Sequence, residues 1–274
     1  MKKRRYLMAT VIGVVIAVPL LVYTSLYLMQ ERLLFAGADV DAETIERTGR
    51  EYPDAEELYI STPDGTRLHG WFVRAHGKRT PLLIYFGGNN EEASGLVPIS
   101  RELEGWSFLV MNYRGYGRSE GSPSEKDLFK DALFIHDLFA HRKDIDPGNI
   151  VAMGRSLGTG VAVYLASRRP LRGVVLVSPY DSITEVAKER YPYAPVSLLI
   201  KHPFDSLSRA PLIKAPLLTL VAAEDRTVTP EHSMRLVERW GGPAKVKIFE
   251  GADHGSIVSS EGYWESIRGF LEEL

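Results

Sequence analysis

The stretch Gly154-Arg155-Ser156-Leu157-Gly158 follows a short apolar run, Asn149 to Met153, and opens a longer amphipathic one, Leu157 to Ser167. The short run predicts a buried strand and the longer run predicts a helix. A serine between two glycines on a strand-to-helix turn is typical of a nucleophile elbow, where flanking side chains would collide with neighbouring backbone. Ser156 is therefore the candidate nucleophile, between the elbow glycines Gly154 and Gly158. The alternative is an ordinary glycine-rich connection.

A serine hydroxyl is a poor nucleophile near neutral pH and needs a neighbouring base. His254 follows the last apolar run, where a loop can deliver an imidazole to the carboxyl edge of a parallel sheet. We therefore predict His254 as the base. The other histidines lie in the early hairpin, in a turn, on or just after a solvent-facing helix, and near helix starts. They are predicted to have surface or packing roles: His69, His76, His136, His141, His202 and His232.

The base in turn needs a carboxylate that orients it. Asp225 ends the apolar run Leu217 to Ala223, again at the carboxyl end of a predicted strand. Glu224 competes for this role, but strand alternation points it the other way. Asp253 also competes, but it is adjacent to His254 and badly placed to reach the far nitrogen of that ring. Asp225 is therefore the predicted acid.

The tetrahedral intermediate of acyl transfer carries negative charge on an oxygen, so N–H donors must be aimed at that oxygen. The N–H of Leu157, at the start of the predicted helix, is one expected donor. The second is expected from the loop Gly87-Gly88-Asn89-Asn90, which follows the apolar run Pro81 to Phe86, and we favour the N–H of Asn89. A plain glycine turn is the alternative for this loop.

Around the elbow, short apolar runs alternate with amphipathic stretches, which predicts parallel strands joined by right-handed helical crossovers. The expected buried strands are 81–86, 107–113, 149–153, 173–178, 216–222 and 245–249, and the expected helices are 92–103, 125–140, 157–167, 231–240 and 262–274. Strand-like runs at 57–61 and 67–75 flank a stretch with hairpin turn chemistry, Thr62-Pro63-Asp64-Gly65-Thr66. The sequence therefore predicts an α/β three-layer sandwich, mostly parallel, with an antiparallel N-terminal edge.

The N-terminal segment predicts a membrane anchor. Tyr6 to Met29 contains no charged residue, and a helix of this length, at about 1.5 Å per residue, is long enough for a ~30 Å hydrocarbon core. Four basic residues precede it, which predicts a single-pass protein with a cytoplasmic N-terminus. The remainder would lie in the periplasm or, in a eukaryote, in a lumen or outside the cell. A cleaved signal peptide and a buried core helix are the alternatives.

The chain divides accordingly into a basic tip and anchor over residues 1–30, a linker over 31–56 and the α/β domain over 57–274. Prolines interrupt the alternation before the 216–222 strand, so the segment at about 180–215 is expected to be a short cap. The chain has 33 Lys and Arg against 35 Asp and Glu, and four of the basic residues precede residue 6, so nucleic-acid binding is not expected. The absence of cysteine excludes disulfides, thiolate metal sites and a cysteine nucleophile.

Further stretches resemble one known superfamily. Asn112 to Gly121 is similar to the loop D-Y-R-G-Y-G-x-S-x-G of the α/β hydrolases, and Ser178 to Ile183 is similar to their S-P-F-x-S-hydrophobic segment. Gln30 and Leu33 to Phe35, just after a single N-terminal span, resemble the membrane-anchored Bem46 and ABHD13/ABHD17-type hydrolases and their bacterial relatives. Gly87 stands where many members have histidine and Asn112 replaces the usual aspartate, and both departures bear on substrate preference.

The resemblance covers nearly all of residues 57–274 and implies a Ser, Asp, His triad in that order, carried here by Ser156, Asp225 and His254. The expected activity is that of a serine hydrolase that cleaves a carboxylester or lipid acyl ester through an acyl-enzyme, with no metal or organic cofactor. The expected partners are a small-molecule or lipid-derived acyl substrate and the membrane. A thioesterase, a serine peptidase or amidase, and a non-catalytic membrane-tethered interaction module are the alternatives.

Overall fold

The computed structural model describes the backbone of residues 2–274 and the side chains within that range, except those of residues 2, 4, 5, 7, 9, 12 and 14–16. The helices are α1 (Lys2–Leu34), α2 (Ala42–Glu51), α3 (Ala93–Leu96), α4 (Glu125–Ala140), α5 (Leu157–Ala166), α6 (Ile183–Arg190), α7 (Val196–Leu199), α8 (Pro230–Glu238) and α9 (Tyr263–Glu273). The strands are β1 (Ala55–Ser61), β2 (Arg67–Val73), β3 (Thr80–Phe86), β4 (Ser107–Met111), β5 (Ile145–Arg155), β6 (Gly173–Val177), β7 (Leu217–Ala222) and β8 (Ala244–Phe249).

The strands form one sheet in the order β1-β2-β4-β3-β5-β6-β7-β8. β1 pairs antiparallel with β2, and β2 pairs antiparallel with β4. All later pairs are parallel. One apolar cluster packs α4, α5 and α8 on one face of the sheet, and a second packs α2 and α9 on the other. The predicted three-layer α/β sandwich with an antiparallel N-terminal edge is confirmed, and the carboxyl ends of β5, β7 and β8 meet at one rim.

Helix α4 shows how the sequence pattern becomes packing. Its N-cap Ser124 accepts a hydrogen bond from the N–H of Asp127, which satisfies one of the free donors of the first turn. The predicted apolar stripe is buried against the sheet: Leu128, Ala132, Ile135 and Phe139. Each buried leucine, isoleucine or phenylalanine contributes roughly 1.5–3 kcal/mol, so this stripe fixes the crossover between β4 and β5.

Strand β8 exists as predicted, but its expected burial is wrong. The side chains of Ala244, Lys245 and Lys247 are exposed, and that of Ile248 is 48% exposed. The reason is position, because β8 is the last strand of the sheet and pairs only with β7. Charged lysines on an edge strand also oppose pairing with a second chain.

The expected helix over 92–103 is broken into two pieces. Residues Ala93–Leu96 are α-helical, and Val97–Glu102 form a 3₁₀ helix with Pro98 in its first turn. Proline has no N–H to donate to the preceding turn, so the α-helix cannot continue through it. The altered geometry keeps Val97 buried under the sheet.

The segment 31–56, expected as a linker, packs on the domain. Helix α2 forms within it, with N-cap Asp41 accepting a hydrogen bond from the N–H of Thr44 at 2.7 Å. Ile45 from α2 and Phe35, the residue after α1, are both buried in apolar clusters. These contacts fix the path of the chain from α1 into β1.

Helix α1 begins at Lys2 and ends at Leu34. Among the residues whose side chains are described, no helix has both the length and the apolarity to cross a membrane. The span expected over residues 6–29 includes residues 7, 9, 12 and 14–16, whose side chains lie outside the description. The carboxyl-terminal part of α1 contacts the segment expected to be a cap: Gln30 donates to the carbonyl oxygen of Leu199 and accepts from the N–H of Lys201, at 3.1 and 2.8 Å.

Candidate active site

Ser156 lies at the sharp turn between β5 and α5. Its backbone adopts φ 49° and ψ −118°, a region that non-glycine residues seldom occupy. The glycine at 158 is required by packing, because a Cβ there would lie 2.0 Å from the carbonyl oxygen of Phe86. At 154 it would lie 2.4 Å from the carbonyl oxygen of Gly158. The two glycines let the turn close, and the turn presents Ser156 at the rim where the parallel strands end.

The structure brings the three predicted side chains together. Asp225 follows β7, and one of its carboxylate oxygens lies 2.6 Å from Nδ1 of His254, in the loop after β8. Nε2 of that ring lies 2.9 Å from the hydroxyl oxygen of Ser156. Each side chain comes from the carboxyl end of a different parallel strand, where such sheets place their sites. The series can pass a proton from the hydroxyl to the imidazole.

Asp225 is held as an anion. Its other carboxylate oxygen accepts hydrogen bonds from the N–H groups of Thr227 and Val228, both at 2.9 Å. Burial by itself would raise the pKa of Asp225, but the hydrogen bonds from His254 and these amides outweigh burial and hold the pKa below its ordinary value. A carboxylate facing Nδ1 keeps a proton on that nitrogen, which leaves Nε2 free to accept from Ser156.

The competing acids have other surroundings. Asp253 accepts hydrogen bonds from the N–H groups of Gly255 and Ser256 within its own turn, and these contacts lower its pKa. The backbone N–H of Glu224 donates to the carbonyl oxygen of Ala252, which joins the two loops. Asp225 is therefore the carboxylate that contacts the ring of His254.

Hydrogen bonds from two tyrosine side chains fix the carbonyl groups of the loop after β3. Tyr113 donates to the carbonyl oxygen of Gly87, and Tyr116 donates to that of Asn89, both at 2.8 Å. These tyrosines belong to the Asn112 to Gly121 stretch, so that motif supports the loop. The N–H of Gly88 donates a hydrogen bond to a carboxylate oxygen of Glu91 at 2.7 Å. The N–H groups of Leu157 and Asn89 stay the predicted oxyanion donors.

A cavity of about 340 Å³ opens at Ser156. Its wall is predominantly apolar and combines the end of α1, helix α6 and the loop after β7. The lining residues are Gln30, Leu33, Leu34, Asn89, Ser156, Leu157, Tyr180, Ile183, Val186, Ala187, Arg190, Tyr191, Ile200, Thr227 and Val228. The segment expected to be a cap thus supplies one wall of the cavity. Among the residues described, no cluster of three or more carboxylate or imidazole groups is arranged to hold a metal ion.

Helix α6, which lines this cavity, is tied to the body of the domain by His232. Nδ1 of this buried ring lies 2.7 Å from Asp181, and Nε2 lies 2.9 Å from Glu189 on α6. Burial lowers the pKa of His232, and Arg235 adds to this effect, but contacts with Asp181 and Glu189 outweigh both and leave the pKa raised. His232 therefore links Asp181, which follows β6, to Glu189 on α6.

We expect this contact to make the stability of the protein pH-dependent. Folding raises the pKa of His232 above its ordinary value of 6.5. The contribution of this residue to the free energy of unfolding is therefore fully present below pH 6.5 and is lost as the pH rises through the raised pKa. Urea unfolding of the parent and His232→Gln should differ by roughly 1–2 kcal/mol at low pH and less at alkaline pH. A difference that does not change with pH would contradict a protonated His232. The exposed His76→Gln is the control for the substitution itself and should leave the free energy of unfolding close to that of the parent.

Other sequence assignments are refined by burial. His136, expected on a solvent-facing helix, is buried because α4 packs against α5 as well as the sheet. His69 is also buried, and burial lowers its pKa.

Asn112 donates to both His69 and Glu92, at 3.0 and 2.8 Å, and its oxygen accepts from the N–H of Ala93. An amide suits this position because an aspartate would face the Glu92 carboxylate.

Comparisons with known proteins agree with this architecture. A family model described as the alpha/beta hydrolase fold matches residues 81–199. Over 271 residues the chain is 32% identical to an uncharacterized protein of Mycobacterium tuberculosis, and the match covers 96% of this chain and 94% of that protein. It is 31% identical to an uncharacterized membrane protein of Saccharomyces cerevisiae, covering 96% and 95% of the two chains. The human alpha/beta hydrolase domain-containing protein 17B is 28% identical, with 80% and 76% covered.

Among solved structures, the acetyl xylan esterase from Paenibacillus sp. R4 matches with a TM-score of 0.64 and 20% identity, covering 84% of this chain and 92% of that one. The parallel sheet, the elbow after β5 and these matches define the class: the chain belongs to the α/β-hydrolase superfamily. Within the superfamily it is a Bem46/ABHD-like protein, which confirms the family resemblance found in the sequence.

Proposed function

We propose that this protein is a serine hydrolase that cleaves carboxylic esters by acyl transfer. The single observation that carries the proposal is the hydrogen-bonded series from Asp225 through His254 to Ser156. His254 takes the proton of Ser156 as the hydroxyl oxygen attacks the ester carbonyl, and Asp225 stabilises the imidazolium that forms. The N–H groups of Leu157 and Asn89 donate to the developing oxyanion.

The remaining steps use the same groups. Collapse of the tetrahedral intermediate breaks the ester bond, His254 gives its proton to the departing alkoxide, and Ser156 is left acylated. Water then attacks the acyl group while His254 removes its proton. Breakdown of the second intermediate releases the carboxylic acid and returns the proton to Ser156. The cycle needs the three side chains, the two backbone N–H donors and water.

The apolar wall of the cavity favours an ester with an apolar acyl group. Leu33, Leu34 and Ile183 are among the side chains that would contact such a group next to Ser156. Burial of each methylene contributes about 0.8 kcal/mol to binding, so an ester with a longer acyl chain should bind more tightly until the cavity is filled. Ester substrates also fit the esterase found among the structural matches.

A fluorophosphonate probe tests the function directly, because it phosphonylates only a serine whose base is in place. We expect the full chain to be labelled at Ser156, and prior incubation with an ester substrate should slow the labelling. A folded protein that stays unlabelled would indicate a non-catalytic module on a hydrolase scaffold.

We further propose that α1 anchors the domain to a membrane with its N-terminus cytoplasmic. The uncharged stretch from Tyr6 to Met29 and the name of the yeast relative, a membrane protein, support this placement. The full chain should stay in the membrane pellet after an alkaline carbonate wash. The double variant Leu20→Arg/Leu21→Arg should be released, because two charges in an anchor are costly to bury in lipid. Release of the parent chain would contradict the proposal.

A further inference from the structure

Arg155, the residue before the nucleophile, contacts two loops of the site at once. One amino group of its guanidinium donates to Glu91, and the other donates to the carbonyl oxygen of His254 at 3.0 Å. The side chain of Arg155 is 13% exposed and that of Glu91 is 16% exposed. Because Arg155 is part of the elbow, these two contacts join the elbow to the loop of the base.

Glu91 extends the connection to the loop after β3. The carboxylate oxygen that Arg155 leaves free accepts a hydrogen bond from the N–H of Gly88 at 2.7 Å and one from Tyr85 at 3.3 Å. Gly88 directly precedes Asn89, whose N–H is the predicted second oxyanion donor. A single ion pair therefore connects the nucleophile turn, the base loop and the oxyanion loop.

The energetics of the pair point to a role in geometry. Taking two charges out of water costs free energy that their attraction only partly offsets, and apolar side chains of similar size often stabilise a protein as well or better. Reaction rates respond strongly to placement, since a displacement of about 1 Å can cost a factor of about 10². The ion pair links three loops, through hydrogen bonds to the backbone of two of them, and apolar side chains could not form those hydrogen bonds.

We propose that Arg155 and Glu91 are positioning residues that hold the His254 loop and the Gly87–Asn90 loop in place around Ser156. This inference rests on the proposed serine hydrolase function. The pair touches neither the reacting hydroxyl nor the ring of His254, so it acts through the backbone of the two loops. Loss of the pair should lower the rate of the chemical step while leaving the apolar cavity, and therefore substrate binding, nearly unchanged.

The decisive comparison is between Arg155→Met and the double variant Arg155→Met/Glu91→Met. We expect Arg155→Met to lower kcat for p-nitrophenyl acetate about 10²-fold with KM within about threefold, and to unfold at lower urea because Glu91 is left unpaired. The double variant removes both charges, so its unfolding midpoint should return towards that of the parent while kcat stays about 10²-fold low. Arg155→Lys keeps the charge but not the planar fork, and should recover part of kcat.

The chain offers a matched control in Arg169. This residue also forms an ion pair with a carboxylate, through two contacts with Asp137 that are both 2.7 Å long, but it follows α5 at the opposite end of that helix from Ser156. Arg169→Met should therefore leave kcat unchanged. If the double variant regains both stability and kcat, the pair is only a structural ion pair and the inference is overturned.

Hydrogen exchange gives a readout that does not need catalysis. In the double variant, peptides covering residues 85–92 and 250–257 should exchange faster than in the parent, while those from α4 should not change. Unchanged exchange in both loops would overturn the inference. Absence of ester turnover and of probe labelling in the parent would instead refute the proposed function, and the exchange result would still decide whether the pair holds the loops.

Discussion

Ser156→Ala is expected to lower kcat for a short p-nitrophenyl ester by at least about 10⁴-fold. The substitution removes the oxygen that attacks the carbonyl and leaves His254 without a proton to accept. It should not unfold the protein, because alanine keeps the Cβ and so faces the same backbone strain at φ 49°. Steady-state hydrolysis and urea unfolding of the purified full chain measure the two effects separately.

Ser178 provides a matched control for this experiment. It follows the neighbouring strand β6, has a comparable φ of 47°, and is 2% exposed with a hydroxyl that has no hydrogen-bond partner among the described residues. Ser178→Ala therefore removes the same kind of oxygen from a residue of similar φ at the next strand end, and activity should be retained. Turnover that survives in Ser156→Ala, measured beside this control, would place the nucleophile elsewhere.

The positions of the elbow and the two loops could be predicted because local rules determine them. A buried strand followed by Gly-x-Ser-x-Gly leaves few conformations open, and parallel strands bring their carboxyl ends to one rim. Ser156, Asp225 and His254 each follow the end of a predicted strand within a few residues, so their proximity follows from topology. The strands recognised in the sequence are therefore enough to predict that the three side chains lie close together.

Features that depend on the order of strands or on distant pairs could not be predicted in this way. The exposure of β8 follows from its place at the sheet edge, and that place depends on the order of the strands. The contacts of Gln30 with Leu199 and Lys201 join residues far apart in sequence. The ion pair of Arg155 and Glu91 also joins residues far apart in sequence. Charged residues are mostly exposed in folded proteins, so the sequence alone predicts that both side chains lie at the surface.

The second large effect is expected from Asp225→Asn, which should lower kcat about 10⁴-fold near neutral pH. The oxygen of asparagine can still accept from the N–H groups of Thr227 and Val228, so the loop should keep its shape. The new amide N–H₂ would then face Nδ1 of His254 and donate to it. The ring proton would move to Nε2, which could no longer accept the proton of Ser156.

Asp253→Asn is the matched control, because Asp253 is the carboxylate next to His254 in the chain. Its oxygen accepts from the N–H groups of Gly255 and Ser256, and asparagine preserves that ability, so the variant should retain most of the activity. The two variants carry the same chemical change within the same pair of loops and differ only in contact with the ring. If Asp253→Asn proves inactive while Asp225→Asn turns over normally, Asp225 is not the acid that orients the base, and the proton path proposed for this site is wrong.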